Sequence, residues 1–128
     1  MLKKLFKPDK LKQLKYIVKT LEKRNHENVR VDLPGYKKPQ NVINKTRNIC
    51  FTPDITSIKN GKLRLFLNIT KDNLEDKDTP EKLSLFDDFA KQNNAVFHVA
   101  FPPELINPVK EKLEALNIEP SLWDISKN

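Results

Sequence analysis

The segment AVFHVAF, residues 95–101, is almost continuously apolar and is followed at once by Pro102-Pro103. A short apolar run without alternation fits a strand that is buried on both faces in the middle of a sheet. Such a strand needs helices over the faces of its sheet, and proline stops it because proline has no N–H to donate. The segment therefore favours an α/β fold.

Four more strands and three helices are predicted around this segment, from apolar alternation in the strands and from apolar spacings of three and four in the helices. Asn60-Gly61 is the strongest hairpin signal, because a two-residue mirror-image turn needs positive φ at both positions. In chain order the elements are a helix over 9–25, strands over 29–33, 49–58 and 62–70, a helix over 80–92 capped by Thr79, the strand over 95–101, a helix between Asn107 and Asn117, and a strand over 121–125. They predict one domain with a mixed four- or five-stranded sheet flanked by helices.

The basic charge of the chain is concentrated near its start. Residues 1–48 contain fourteen Lys or Arg and four Asp or Glu, a net charge of +10, whereas residues 49–128 contain ten and thirteen, a net charge of −3. This asymmetry suits a partner that carries phosphates, or an acidic membrane surface. A lysine-rich helix that is simply solvated is the alternative.

Composition excludes several classes of site. The single cysteine, Cys50, has no partner in the chain for a disulfide or a cysteine metal site. The two glycines, Gly35 and Gly61, are too few for a glycine-rich phosphate loop. No apolar run approaches the roughly 18 residues that cross a bilayer, and the Met-Leu-Lys-Lys start does not look like a signal peptide. We expect a cytoplasmic protein with no membrane partner.

The predicted order of elements, αβββαβ with an added helix and strand at the C-terminal end, resembles the PD-(D/E)XK, or restriction-endonuclease-like, nucleases. Three segments carry the resemblance: FTPDIT at 51–56 looks like the Pro-Asp motif on the second core strand, NGKL at 60–63 forms the hairpin, and LFDDFA at 85–90 matches the helix that follows. The likeness covers residues 10–125. It implies a restriction-endonuclease-like domain over residues 1–128, with residues 1–8 as a basic tail.

The resemblance also implies a metal-dependent phosphodiesterase site that uses Mg²⁺, with an Asp from the second strand and a Glu-x-Lys from the third. Asp54 matches the first position, where it would be a vestigial metal ligand. An equally weighted alternative is that its carboxylate only caps a bulge or a turn. The third strand places Leu67 and Ile69 at the positions of the acid and the lysine, and shifting the register to Phe66 and Asn68 supplies no carboxylate either.

Two other residues are candidates to complete a catalytic set with Asp54. Glu22 lies on the first helix, where some relatives carry an extra acid, and Lys71 follows the third strand. A solvent-facing helix residue and the start of a polar loop are the simpler interpretations. His98 is expected to be a hydrogen-bonded core histidine, and His26 to have no specific role.

A basic loop before the Pro-Asp segment is the predicted surface for nucleic acid, together with the lysines of the first helix. Its candidate residues are Tyr36, Lys37, Lys38, Lys45 and Arg47. We therefore expect an inactive nuclease-like protein that binds nucleic acid or serves as an accessory subunit in DNA processing, and that needs no cofactor. The alternatives are an active Mg²⁺-dependent nuclease with an unusual site, and a protein-interaction module, for example a homodimer formed through a sheet edge.

Overall fold

A five-stranded mixed sheet separates one helix from the other two. The computed structural model describes residues 8–126. The helices are α1 (Pro8–Lys23), α2 (Thr79–Gln92) and α3 (Ile106–Leu116), and the strands are β1 (Glu27–Val31), β2 (Val42–Asn44), β3 (Ile49–Phe51), β4 (Ile55–Lys59), β5 (Lys62–Asn68), β6 (Val96–Phe101) and β7 (Ser121–Asp124). The predicted tail, residues 1–8, lies outside the described residues except for Pro8, which belongs to α1.

The large sheet has the order β1-β4-β5-β6-β7. β4 runs antiparallel to its neighbours β1 and β5, and β5, β6 and β7 run parallel to one another. The parallel pairs are connected through α2 and α3, as parallel strands require a crossover. The apolar run that suggested an interior strand is β6, which has a neighbour on each side. The α/β class with a mixed sheet is thereby confirmed.

Side chains of β5 alternate between two separate cores. Leu65 and Leu67 pack with α2 and α3, whereas Phe66 packs with α1. This split follows from the pleat of a strand, in which successive side chains point to opposite faces. The α1 core contains the apolar stripe predicted for the first helix, namely Leu14, Ile17, Val18 and Leu21.

The predicted strand over 49–58 is wrong, because this segment forms two strands in different sheets. β3 pairs with β2 in a small hairpin, and β4 belongs to the large sheet. Pro53, which cannot donate a backbone hydrogen bond, lies between them with Asp54. The basic loop over 36–48 therefore contains a strand, β2, whose Val42 is buried against the α2 core.

The predicted turns and caps are largely confirmed. Asn60 and Gly61 have φ of 54° and 74° and connect β4 to β5. Asn117 ends α3 in the left-handed conformation. Thr79 differs from its prediction: it lies inside the first turn of α2, and its hydroxyl donates to the carbonyl of Asn73 at 2.7 Å. None of the helices in residues 8–126 is long and apolar enough to cross a membrane.

Candidate functional site

Asp54 is held at the point where the chain enters β4. Its backbone N–H donates to the carbonyl of Phe66 at 3.1 Å, and its carbonyl accepts from the N–H of Asp32 at 2.9 Å. The carboxylate is buried, and it accepts a hydrogen bond from the backbone N–H of Asn68 at 2.8 Å. The ammonium of Lys10, on the first turn of α1, lies 2.9 Å from one carboxylate oxygen and 3.0 Å from the other. Asp54 is thus one half of a mostly buried ion pair.

Two amide side chains extend this ion pair into a cluster. Asn68, which is fully buried, donates from Nδ2 to Oε1 of Gln13 at 2.9 Å and to the carbonyl of Ala100 at 3.2 Å. Its Oδ1 is buried without a hydrogen-bond partner in the described part of the chain. We call Lys10, Gln13, Asp54 and Asn68 the Asp54 cluster. It contains one carboxylate, one cation and two amides.

The placement predicted for Leu67 and Ile69 beside Asp54 is wrong. Both residues pack into the core between the sheet and α2 and α3. Asp54 lies instead on the α1 face, where the even-numbered residues of β5 point, so its neighbours on that strand are Phe66 and Asn68. The β4–β5 pairing begins at Ile55 and Phe66, so Asp54 lies just outside it, and the contacts with Lys10 and with the N–H of Asn68 hold its carboxylate on the α1 face.

Glu22 and Lys71 are not contacts of the Asp54 carboxylate. Glu22 is exposed, and it lies nine residues after Gln13 on α1, which is about 13 Å along a helix axis. Lys71 is exposed in the turn after β5. The cation that pairs with Asp54 is Lys10, which sequence reasoning missed. Its signal was present, because Lys10 lies one turn before Leu14 and so continues the buried stripe of α1.

The described residues offer no group of three or more His, Cys, Asp or Glu side chains that could hold a metal ion. A bound Mg²⁺ relies on at least one or two carboxylates together with waters and substrate oxygens. In the Asp54 cluster the single carboxylate is already neutralised by an ammonium at contact distance. The side-chain chemistry of the cluster therefore does not fit Mg²⁺.

The five residues predicted to contact nucleic acid are exposed but lie in two separate places. Tyr36, Lys37 and Lys38 follow β1, whereas Lys45 and Arg47 are in the turn between β2 and β3. Two of them face carboxylates: Lys38 lies 3.7 Å from Asp32, and Arg47 lies 3.8 Å from Glu81 on α2. Exposed ion pairs of this length are weak, so both side chains remain accessible to another partner.

The outward face of α1 carries a continuous row of cations. Its members, which we call the α1 lysine stripe, are Lys12, Lys15, Lys19 and Lys23. They are exposed and recur every three or four residues, so they lie along one side of the helix over about 16 Å. The opposite side of α1 is buried against the sheet. The structure thus orients these four positive charges toward solvent.

A second polar cluster lies on the α1 face of the sheet, at the other end of β5. His98 stacks on Phe66 with ring centroids 4.6 Å apart, and Nη1 of Arg64 donates to its Nε2 at 3.4 Å. His26, for which the sequence predicted no specific role, has its Nδ1 2.8 Å from the hydroxyl of buried Ser57. The guanidinium of Arg24 lies 5.6 Å from the centroid of the Trp123 ring.

Burial and nearby cations lower the pKa of both histidines. For His98, burial comes first and the charge of Arg64 second, and together they lower the pKa to about 4. For His26, burial again comes first, followed by the charges of Arg64, Lys59 and Arg24. The rings are therefore neutral near neutral pH, in surroundings that are already positive.

Comparison with known proteins adds no assignment to these two clusters. No family model, curated protein or solved structure matches the chain.

Proposed function

We propose that this protein binds nucleic acid through the α1 lysine stripe. The observation that carries the proposal is the row of four exposed lysines on one side of a helix whose other side is buried. Phosphate contacts from lysine provide most of the affinity of sequence-independent nucleic-acid binding. The loop residues Lys37 and Lys45 are exposed cations that add to the positive charge of the same segment, residues 1–48.

We further propose that the chain is a catalytically inactive relative of the PD-(D/E)XK nucleases. Supporting this kinship, α1 precedes the antiparallel set β1, β4 and β5, which the β2–β3 hairpin interrupts in the chain, and α2 leads to β6, which is parallel to β5. Asp54, the candidate metal ligand, lies at the start of the second strand of that set. The proposal for inactivity rests on two residues. Lys10 neutralises the Asp54 carboxylate, and Asn68, on the neighbouring strand, has an amide side chain and so supplies no second carboxylate.

Fluorescence anisotropy with labelled single-stranded and duplex oligonucleotides tests the binding proposal. The variant Lys12→Gln/Lys15→Gln/Lys19→Gln removes three charges from the stripe, and Lys62→Gln/Lys77→Gln/Lys110→Gln removes three exposed lysines elsewhere. For duplex DNA, each lost phosphate contact should reduce the slope of log affinity against log salt concentration by about 0.9. We expect the stripe variant to lose affinity and to flatten this slope by roughly 2–3, and the control variant to change little.

Two results would contradict nucleic-acid binding through the stripe. One is the absence of binding at low salt; the other is an equal loss in the stripe variant and the control variant. Inactivity needs a separate assay, in which the wild-type protein is incubated with oligonucleotides and Mg²⁺ or Mn²⁺. We expect no cleavage, and metal-dependent cleavage that disappears in Asp54→Ala would establish the active nuclease instead.

A further inference from the structure

The histidine and arginine side chains at the far end of β5 surround a cavity of about 240 Å³. We call it the His–Arg pocket; the residues that line it include Arg24, His26, Arg64, His98 and Trp123. It is distinct from the Asp54 cluster, because Arg64 and Asn68 are four residues apart on β5, about 13 Å along a strand. Ser121 and Leu122 of β7 complete the exposed side of the pocket.

The pocket has an excess of positive charge. Arg24 and Arg64 line it, the ammonium of Lys59 donates to the carbonyl of Arg24, and none of the residues that line it is an Asp or a Glu. The Nε of Arg64 is buried and has no hydrogen-bond partner in the described residues. Leaving a charged donor unpaired is costly, and an anion beside the Arg64 guanidinium would offset part of that cost through its charge.

We propose that the His–Arg pocket binds a phosphate group, either as the free anion or as a phosphomonoester. A guanidinium presents several N–H donors in a fixed fork that matches phosphate oxygens. The two imidazoles become additional donors once they are protonated. The volume also fits, since pockets for larger, drug-sized ligands occupy roughly 300–1,000 Å³.

Binding of a dianion should be coupled to proton uptake by the pocket. Arg64 acts on both imidazoles, Arg24 and Lys59 act on His26, and His26 acts on His98. An anion among them offsets this repulsion and favours the protonated rings, so it raises the pKa of both histidines. By linkage, phosphate binding and histidine protonation should each favour the other.

NMR spectroscopy of the histidine imidazoles, with inorganic phosphate as the titrant, tests this proposal in the full-length protein. We expect phosphate to shift the signals of both His26 and His98 and to raise their pKa values. Arg64→Gln should weaken phosphate binding about tenfold or more, the usual effect of losing a charged hydrogen bond. Arg30→Gln is the matched control, because Arg30 pairs in register with Thr56 in the same sheet but lines a cavity on the opposite face.

Several outcomes decide the proposal. Unchanged histidine signals at millimolar phosphate in the wild-type protein would overturn it, and this measurement does not depend on any variant folding. Equal phosphate binding in Arg64→Gln and wild type would also overturn it.

A second comparison identifies the source of the phosphate. A 5′-phosphorylated oligonucleotide that shifts the same signals more strongly than its 5′-hydroxyl counterpart identifies a nucleic-acid end as the source. Stronger binding of inorganic phosphate identifies the free anion. The stripe variant separates the two proposals, because it leaves the His–Arg pocket intact.

Discussion

Replacing Lys10 by Met should destabilise the fold, because it leaves the Asp54 carboxylate without its cation. The two side chains are 21% and 10% exposed, and the shorter N–O distance is 2.9 Å. At that distance the attraction is roughly 6 kcal/mol at an effective dielectric constant of about 20. Desolvation of both groups offsets most of it, so we expect the free energy of unfolding to fall by about 2 kcal/mol.

Urea unfolding followed by circular dichroism measures this change, and a double-mutant cycle isolates its cause. Asp54→Asn keeps an oxygen that can accept from the N–H of Asn68 but has no charge to pair with Lys10. In that background Lys10→Met should therefore cost less, with a coupling energy of about 1–2 kcal/mol. Lys38→Met is the control, since its ion pair with Asp32 is longer and more exposed, and should change stability by no more than about 0.5 kcal/mol.

Two results would refute the reasoning about this ion pair. The first is a Lys10→Met protein whose stability lies within about 0.5 kcal/mol of the wild type, as for an exposed pair. The second is strict additivity in the cycle, because it would mean that the effect of Lys10→Met does not depend on the charge of Asp54.

Further predictions concern pH and the turns. Because burial and Arg64 lower the pKa of His98 from 6.5 to about 4, the folded protein binds fewer protons than the unfolded chain between these values, and the free energy of unfolding falls as the pH drops through that window. Urea titrations across it should show a decrease of at most roughly 3 kcal/mol from this group, and an equal decrease in His98→Gln would refute the assignment. Gly61→Ala should cost about 1 kcal/mol in the same assay, from its φ of 74° alone, because no atom lies within 4 Å of the added methyl group. Asn117→Gly should raise the free energy of unfolding by about 0.5–1 kcal/mol, because glycine adopts the φ of 57° at this position without the cost of a side chain. A loss of stability would show that the Asn side chain contributes to the cap.

The elements that sequence reasoning predicted well are those specified by near neighbours in the chain. The apolar run of β6, the lysine and leucine periodicity of α1 and the turn at Asn60-Gly61 each depend on the chemistry of a few consecutive residues.

Predictions that depended on register or on chain reversal were less successful. Sequence reasoning placed residues 49–58 in one strand, because nothing local indicates that Val42–Asn44 returns to pair with Ile49–Phe51. It aligned Leu67 and Ile69 with Asp54, whereas these two side chains lie in the core on the face of the sheet opposite the Asp54 carboxylate. Side-chain direction has a period of two along a strand, so an error of one position exchanges the buried neighbours completely.

The sequence by itself determined the α/β class, the helix that carries the lysine stripe and the concentration of positive charge in the first 48 residues, because periodicity, turn chemistry and charge are properties of local sequence. Only the tertiary structure decided which side chains meet. Lys10 and Asp54 are 44 positions apart, and Arg64 and His98 are 34 apart. These contacts depend on how α1 lies across the sheet and on the register of its strands, both of which are set by burial of apolar side chains throughout the chain.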